Sequence, residues 1–156
     1  MEAPFKNLAV GVDKIRSCHN VGAIFRTAEC AGWDKIYLGG WTCAPPDPRL
    51  CKVALGAESM LPWEQHNQLW REVDRLKEAG VTIAVLENNV PGTQSIFDYK
   101  PKLPLLLIVG HEVEGNSAAM LKRADVTLEI PQFGQKESLN VSVAFGVAAF
   151  ALARNV

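Results

Sequence analysis

Apolar positions along this chain follow two rhythms. Short, nearly continuous apolar runs occur at Leu8-Ala9-Val10-Gly11-Val12, Lys35 to Leu38, Val81 to Leu86, Leu103 to Val109 and Val126 to Ile130. Runs of that length and composition predict strands, and their continuity predicts parallel strands covered on both faces. Between them the spacing changes to three and four. Val21, Ile24, Phe25 and Ala28 predict a helix over 21–31, with Asn20 as N-cap and Gly32 as stop. Residues 67–79 predict a second helix with Leu69, Trp70, Val73 and Leu76 on its buried stripe, ended by Gly80. A short helix is expected over 117–123. The stretch 41–66 holds Pro45-Pro46, Pro48 and Pro62 and reads as one long connection, of the kind that tends to be functional. This alternation predicts one α/β domain spanning 1–156, with a mainly parallel sheet and helices on both faces.

The last element, roughly 139–154, breaks the amphipathic rule. Val141, Val143, Ala144, Phe145, Val147, Ala148, Phe150, Ala151 and Leu152 leave it no polar face. A helix packed only on its own sheet keeps one, so a second surface is expected here, most simply another copy of the chain.

Composition narrows the class. The 156 residues are 48% hydrophobic and 21% charged, as in an ordinary globular domain. No apolar run reaches a membrane span and the first residues lack a signal-peptide core, so a cytoplasmic location and no membrane partner are expected. Cys18, Cys30, Cys43 and Cys51 include no Cys-x-x-Cys pair, so reduced cysteines and no metal site are expected. The net charge of −1 is low for an RNA binder, which would need its basic residues gathered on one face or its RNA contact shared between subunits.

The candidate chemistry sits in three stretches: Asn20-Val21-Gly22-Ala23-Ile24-Phe25-Arg26-Thr27-Ala28, then Gly110-His111-Glu112-Val113-Glu114-Gly115, then Ile130-Pro131 running on to Ser138-Leu139-Asn140-Val141-Ser142-Val143. Each places polar or glycine-rich chain between a strand and a helix, where open α/β sheets bind ligands. Gly110 and Gly115 bracket a turn that suits close backbone approach, with or without a ligand. Neither a Gly-x-Gly-x-x-Gly after the first strand nor a phosphate-binding loop ending in Gly-Lys-Ser/Thr is present. On local grounds Arg26 reads equally as an ion-paired structural residue, set among apolar neighbours away from the plain solvent face. Asn20 reads as a cap, and Ile130 and Leu139 as core.

Taken in order, the three stretches resemble the SpoU–TrmH branch of the SPOUT superfamily, knotted RNA 2′-O-ribose methyltransferases. The resemblance runs from about residue 7 to residue 154. It implies a deep C-terminal trefoil knot, with the segment after Ile130 threaded through the preceding loop. It implies S-adenosyl-L-methionine as cofactor, held largely by backbone groups at Gly110, Ile130 and Leu139, with Leu86, Glu112 and Gly115 lining the same pocket. It implies Arg26 as the catalytic residue, with Asn20, Ser138 and Asn140 beside the methyl donor and ribose. A guanidinium stays protonated near neutral pH, so a fork from Arg26 onto phosphate and the developing 2′-oxyanion is preferred to a role as base. No fixed role falls to His111, and Gln132 stands where a methionine is common. The chain resembles catalytic-domain-only members. It is therefore expected to methylate RNA, tRNA before rRNA, as a homodimer through its first and last helices. The competing expectations are a catalytically silent RNA- or cofactor-binding module of a larger complex, and a flavodoxin-like domain, which fits the strands and not the motifs.

Overall fold

The computed structural model describes all 156 residues. Seven parallel strands form one sheet in the order β3-β2-β1-β6-β4-β7-β5. They are β1 Leu8–Asp13, β2 Lys35–Gly39, β3 Trp63–His66, β4 Thr82–Leu86, β5 Gln94–Ser95, β6 Leu105–Val109 and β7 Val126–Glu129. The helices are α1 Cys18–Cys30, α2 Pro48–Ala54, α3 Leu69–Glu78, α4 Ala118–Leu121 and α5 Val141–Ala153.

Strand alternation splits the buried residues into two cores. Leu8, Val10 and Val12 of β1, with Leu105, Leu107 and Val109 of β6, meet Val21, Ile24 and Phe25 of α1, Leu50 of α2, and Phe145 and Leu152 of α5. Ala9, Leu106 and Ile108 point the other way, onto Leu69, Val73 and Leu76 of α3 and Met120 of α4. Helices thus cover both faces, which is why β1, β4 and β6 read as continuous apolar runs.

The structure corrects several boundaries. The 41–66 connection contains α2 and β3. Asp47 caps α2 with Pro48 in its first turn, and β3 escapes the apolar pattern because it is the polar edge strand Trp63-Glu64-Gln65-His66. Two-residue β5 at the other edge is too short to leave a pattern. Asn20 is not the cap of α1: Ser17 is, its hydroxyl accepting from Asn20 N at 3.1 Å. At α5 the cap is Asn140, its Oδ1 accepting from Ser142 N at 2.9 Å and Val143 N at 3.3 Å. Trp70 is only half-buried, packed beneath the guanidinium groups of Arg71 and Arg123.

The cysteine expectation is also corrected. Cys18 and Cys43 form a disulfide, while Cys30 and Cys51 are free. Because β1 and β2 are neighbours, the loops that follow them lie side by side. That brings two Cα atoms 25 residues apart in sequence to 5.2 Å, within bonding range. No helix is long and apolar enough to cross a membrane.

Candidate active site

The C-terminal ends of β4 and β6 open onto a cavity of about 200 Å³. One wall is the turn after β6, from Gly110 to Asn116; the opposite wall is Ile130, Gln132, Ser138, Leu139 and the first turn of α5; Leu86, Glu87 and Asn88 close the floor. All six expected cofactor residues, Leu86, Gly110, Glu112, Gly115, Ile130 and Leu139, line it, as does Ser138.

The turn is held by its own side chains. His111 and Gly115 exchange main-chain hydrogen bonds of 3.2 and 2.9 Å. His111 Nδ1 accepts from the amides of Val113 and Glu114, both at 3.1 Å, so His111 shapes the turn rather than standing free as a base. Gly115 has φ +71°, and a Cβ there would press on the Glu87 carboxylate at 2.8 Å. Gly110 is equally constrained: its missing Cβ would meet Asn116 N at 2.7 Å. By contrast, Gly22 serves packing, since a Cβ there would strike the Leu50 carbonyl of α2.

Glu87 and Asn116 escaped the sequence reading, yet they hold the turn after β6 to the floor of the cavity. Glu87 Oε2 accepts from Asn116 N at 2.8 Å and from Asn116 Nδ2 at 3.0 Å, and Nδ2 also donates to the Leu86 carbonyl at 2.9 Å. The available signal was a carboxylate directly after an apolar strand, where open α/β sheets place ligand contacts. Gln132 ties the far wall: with its amide oriented to satisfy both ends, it accepts from Asn88 Nδ2 at 2.7 Å and donates to the carbonyls of Lys136 and Glu137.

Two observations fit a nucleoside-bearing ligand. The main-chain groups of Gly110, Ile130 and Leu139 form no hydrogen bond with the rest of the chain, although Gly110 and Ile130 are buried. Buried main-chain groups are otherwise almost always paired. Asn116 Oδ1 is likewise buried and without a partner. Glu87, Glu112 and Glu114 make the lining acidic, which suits a sulfonium cation and repels phosphate.

Beside the cavity the N-termini of α1 and α5 meet. Asn140 Nδ2 donates to Asn20 Oδ1 at 3.3 Å, and Ser17 N donates to Glu112 Oε1 at 3.3 Å. Neither helix has an acidic residue in its own first turn, but the Glu112 carboxylate on Ser17 N offsets the positive end of α1, whereas the α5 amides of Ser142 and Val143 are capped only by the neutral Asn140. Asn20 and Asn140 therefore meet at one corner, and Ser138 lines the cavity wall two residues before Asn140. Arg26 stands apart. It lies six residues beyond Asn20, about 9 Å along the helix axis, exposed to solvent and paired with no carboxylate. The expectation of a shielded or ion-paired Arg26 is corrected: α1 turns its apolar stripe to the sheet and this residue outward.

This three-layer architecture, with its cavity at the ends of β4 and β6, has clear relatives. The SpoU rRNA Methylase family model matches residues 7–150. The chain belongs to the SpoU rRNA Methylase family. Among SpoU relatives, the 23S rRNA (guanosine(2553)-2′-O)-methyltransferase RlmP of Bacillus subtilis is 34% identical over 143 residues, 90% of this chain and 56% of its own. An AdoMet-bound rRNA methyltransferase from Sinorhizobium meliloti superposes with a TM-score of 0.88 at 28% identity, over 97% of this chain and 57% of its own. A structure described as giving insights into the 2-OH methylation of C/U34 on tRNA matches over 95% of both chains, with a TM-score of 0.84 and 26% identity. The chain spans little more than half the length of the first curated SpoU relatives it matches.

Proposed function

We propose that this protein transfers a methyl group from S-adenosyl-L-methionine to a ribose 2′-hydroxyl of RNA. The observation that carries the reading is the pairing of an acidic cavity, with its unpaired main-chain groups at Gly110, Ile130 and Leu139, to two helix N-termini bridged by Asn20 and Asn140, of which the α5 end has no carboxylate against it. The cofactor supplies an electrophilic methyl on a sulfonium; the remaining work falls to the chain. The Gly110–Asn116 turn and the Ile130–Leu139 segment hold and orient it. Ser138, Asn20 and Asn140 set the ribose at the α1–α5 corner, where the α5 N-terminus favours the negative charge that develops on the 2′-oxygen. Arg26 takes the RNA backbone as a bidentate guanidinium fork. With both reactants fixed, positioning accounts for much of the rate.

The proposed substrate is tRNA rather than rRNA. The relative matched over 95% of its own length is described for tRNA, whereas the 23S rRNA relatives are covered for 56–62% of theirs. The chain acts as a homodimer in this reading. Val143 and Phe150, seven residues apart on α5, are 52% and 54% exposed. They leave an apolar stripe beside the outward face of α1, a helix α5 touches where Gly146 meets Thr27.

A labelled-methyl assay on unmodified tRNA and 23S rRNA transcripts tests the proposal. Label in tRNA ribose is expected. Arg26→Ala should raise the RNA KM by roughly 10- to 100-fold, the loss of a hydrogen bond to a charged group, with cofactor affinity intact, and Arg26→Lys nearly as much because a point charge cannot fork. Cofactor binding without transfer to either RNA points instead to the silent-module reading.

A further inference from the structure

We propose that Trp41, backed by Arg16 and His111, forms a stacking platform for an unpaired base of the RNA substrate, within a nucleotide of the methylated ribose. The inference rests on the RNA methyltransferase reading and assigns that site a new binding residue. Trp41 is 54% exposed, and this is not the exposure of a loose loop. Gln65 Nε2 donates to the carbonyls on both sides of it, Gly40 at 3.1 Å and Thr42 at 2.9 Å. Gly40 N donates to the His66 carbonyl at 2.8 Å. The Thr42 hydroxyl donates to the Gly39 carbonyl at 2.6 Å, with the Val12 carbonyl 3.2 Å away as the alternative acceptor, and accepts from Ile15 N. The Cys18–Cys43 bond ties the same two loops together. An apolar ring on a backbone fixed this firmly could have been turned inward; it is presented instead.

Its neighbours connect it to the cavity. The Arg16 guanidinium lies over the indole, 5.6 Å from the ring centroid. The His111 ring stands edge-on to it at 6.1 Å and 81°, and His111 is part of the cavity wall. The Ser17–Glu112 bond locks the loop carrying Arg16 to that same wall. The platform therefore stands at the mouth of the pocket, next to the Asn20–Asn140 corner.

Charge selects the occupant. From Lys14 to Ala28 the chain contains Lys14, Arg16, His19 and Arg26 and no carboxylate. Lys14, Arg16 and Arg26 are exposed and form no ion pair. In a chain of net charge −1 this is a local basic strip, running from the platform along α1. A strip of cations tracks a phosphate backbone while an aromatic face receives a base, the combination that binds single-stranded nucleic acid. The acidic cavity takes no part in that attraction.

The test uses the full chain and in-vitro-transcribed, unmodified tRNA and 23S rRNA. Trp41→Ala should weaken RNA binding, and raise the RNA KM, by roughly 10- to 100-fold. Affinity for S-adenosyl-L-methionine, thermal midpoint and kcat at saturating RNA should stay near parent values. Trp41→Phe, which keeps a stacking face, should recover most of the loss. Parent-like RNA affinity in Trp41→Ala overturns the platform and leaves the enzyme reading standing. A change from dimer to monomer in Trp41→Ala would make this surface a subunit contact and overturn it as well. If the parent protein binds the cofactor but no RNA, the methyltransferase reading fails first and the platform with it.

Discussion

Adding one methyl group at Gly110 tests whether the turn after β6 is built to the tolerance its geometry implies. An alanine Cβ would sit 2.7 Å from Asn116 N and 2.8 Å from both its Cα and Oδ1. Two of those three atoms are backbone, so no rotamer change relieves the contact. Asn116 must retreat by about 0.7 Å to reach the 3.4 Å of ordinary contact. Its 2.8 Å bond from N–H to Glu87 Oε2 would then stretch beyond useful range. A hydrogen bond to a charged group contributes about 1.5–3 kcal/mol, and overpacking costs about 1–3 kcal/mol. A net loss of about 2–4 kcal/mol is therefore expected, shared between stability and binding. With about half of that loss, ~1–2 kcal/mol, falling on binding, Gly110→Ala should bind S-adenosyl-L-methionine roughly 5- to 30-fold more weakly by isothermal titration, at about 1.4 kcal/mol per tenfold, with a lowered melting temperature. Gly134→Ala is the control, because a Cβ there meets nothing within 4 Å, and it should behave as the parent. If Gly110→Ala folds with unchanged affinity and unchanged melting temperature, the tight Gly110–Asn116 contact is not what shapes the pocket, and the assignment of this turn falls.

Asn140→Ala removes the cap of α5 and its bond to Asn20, and should cost about 1 kcal/mol or somewhat more in chemical denaturation; a change below about 0.3 kcal/mol would contradict the capping role. Burial pushes the Asp13 carboxyl above its usual pKa, with Lys14 pulling the other way. Its neutral form is thus favoured in the folded protein, so stability on this account is highest below the unfolded pKa and falls as pH rises through the folded one. Asp13→Asn should raise the melting temperature at pH 7 and leave it unchanged near pH 3, and a parent-like melting temperature at both pH values would refute this. Phe150→Glu places a charge on the exposed stripe of α5 and should convert a dimer of twice the 17.1 kDa chain mass into monomer by sedimentation; a parent protein already monomeric at micromolar concentration removes the dimer.

The two-faced burial of β1, β4 and β6 was legible in the sequence, because a strand covered on both sides must be apolar at every position. Gly110, Gly115, Ile130, Ser138 and Leu139 were legible as a site only through the resemblance of three separated stretches; their composition alone also fits a plain turn and ordinary core. The polar edge strand β3 was not legible, since an edge covered on few sides needs no apolar run. Nor were the long-range pairs. Glu87 and Asn116 are 29 residues apart, Cys18 and Cys43 are 25 apart, and Asn20 and Asn140 are 120 apart. Each pair meets because strands distant in sequence are neighbours in the sheet or because helices share a face, and no local propensity encodes such a meeting. The outward turn of Arg26 and the presentation of Trp41 belong to the same class. Local pattern determines which stretches become strands and helices; which side chains then share a corner is decided by packing the layers together, where the free energy is set by neighbours that the local sequence does not contain.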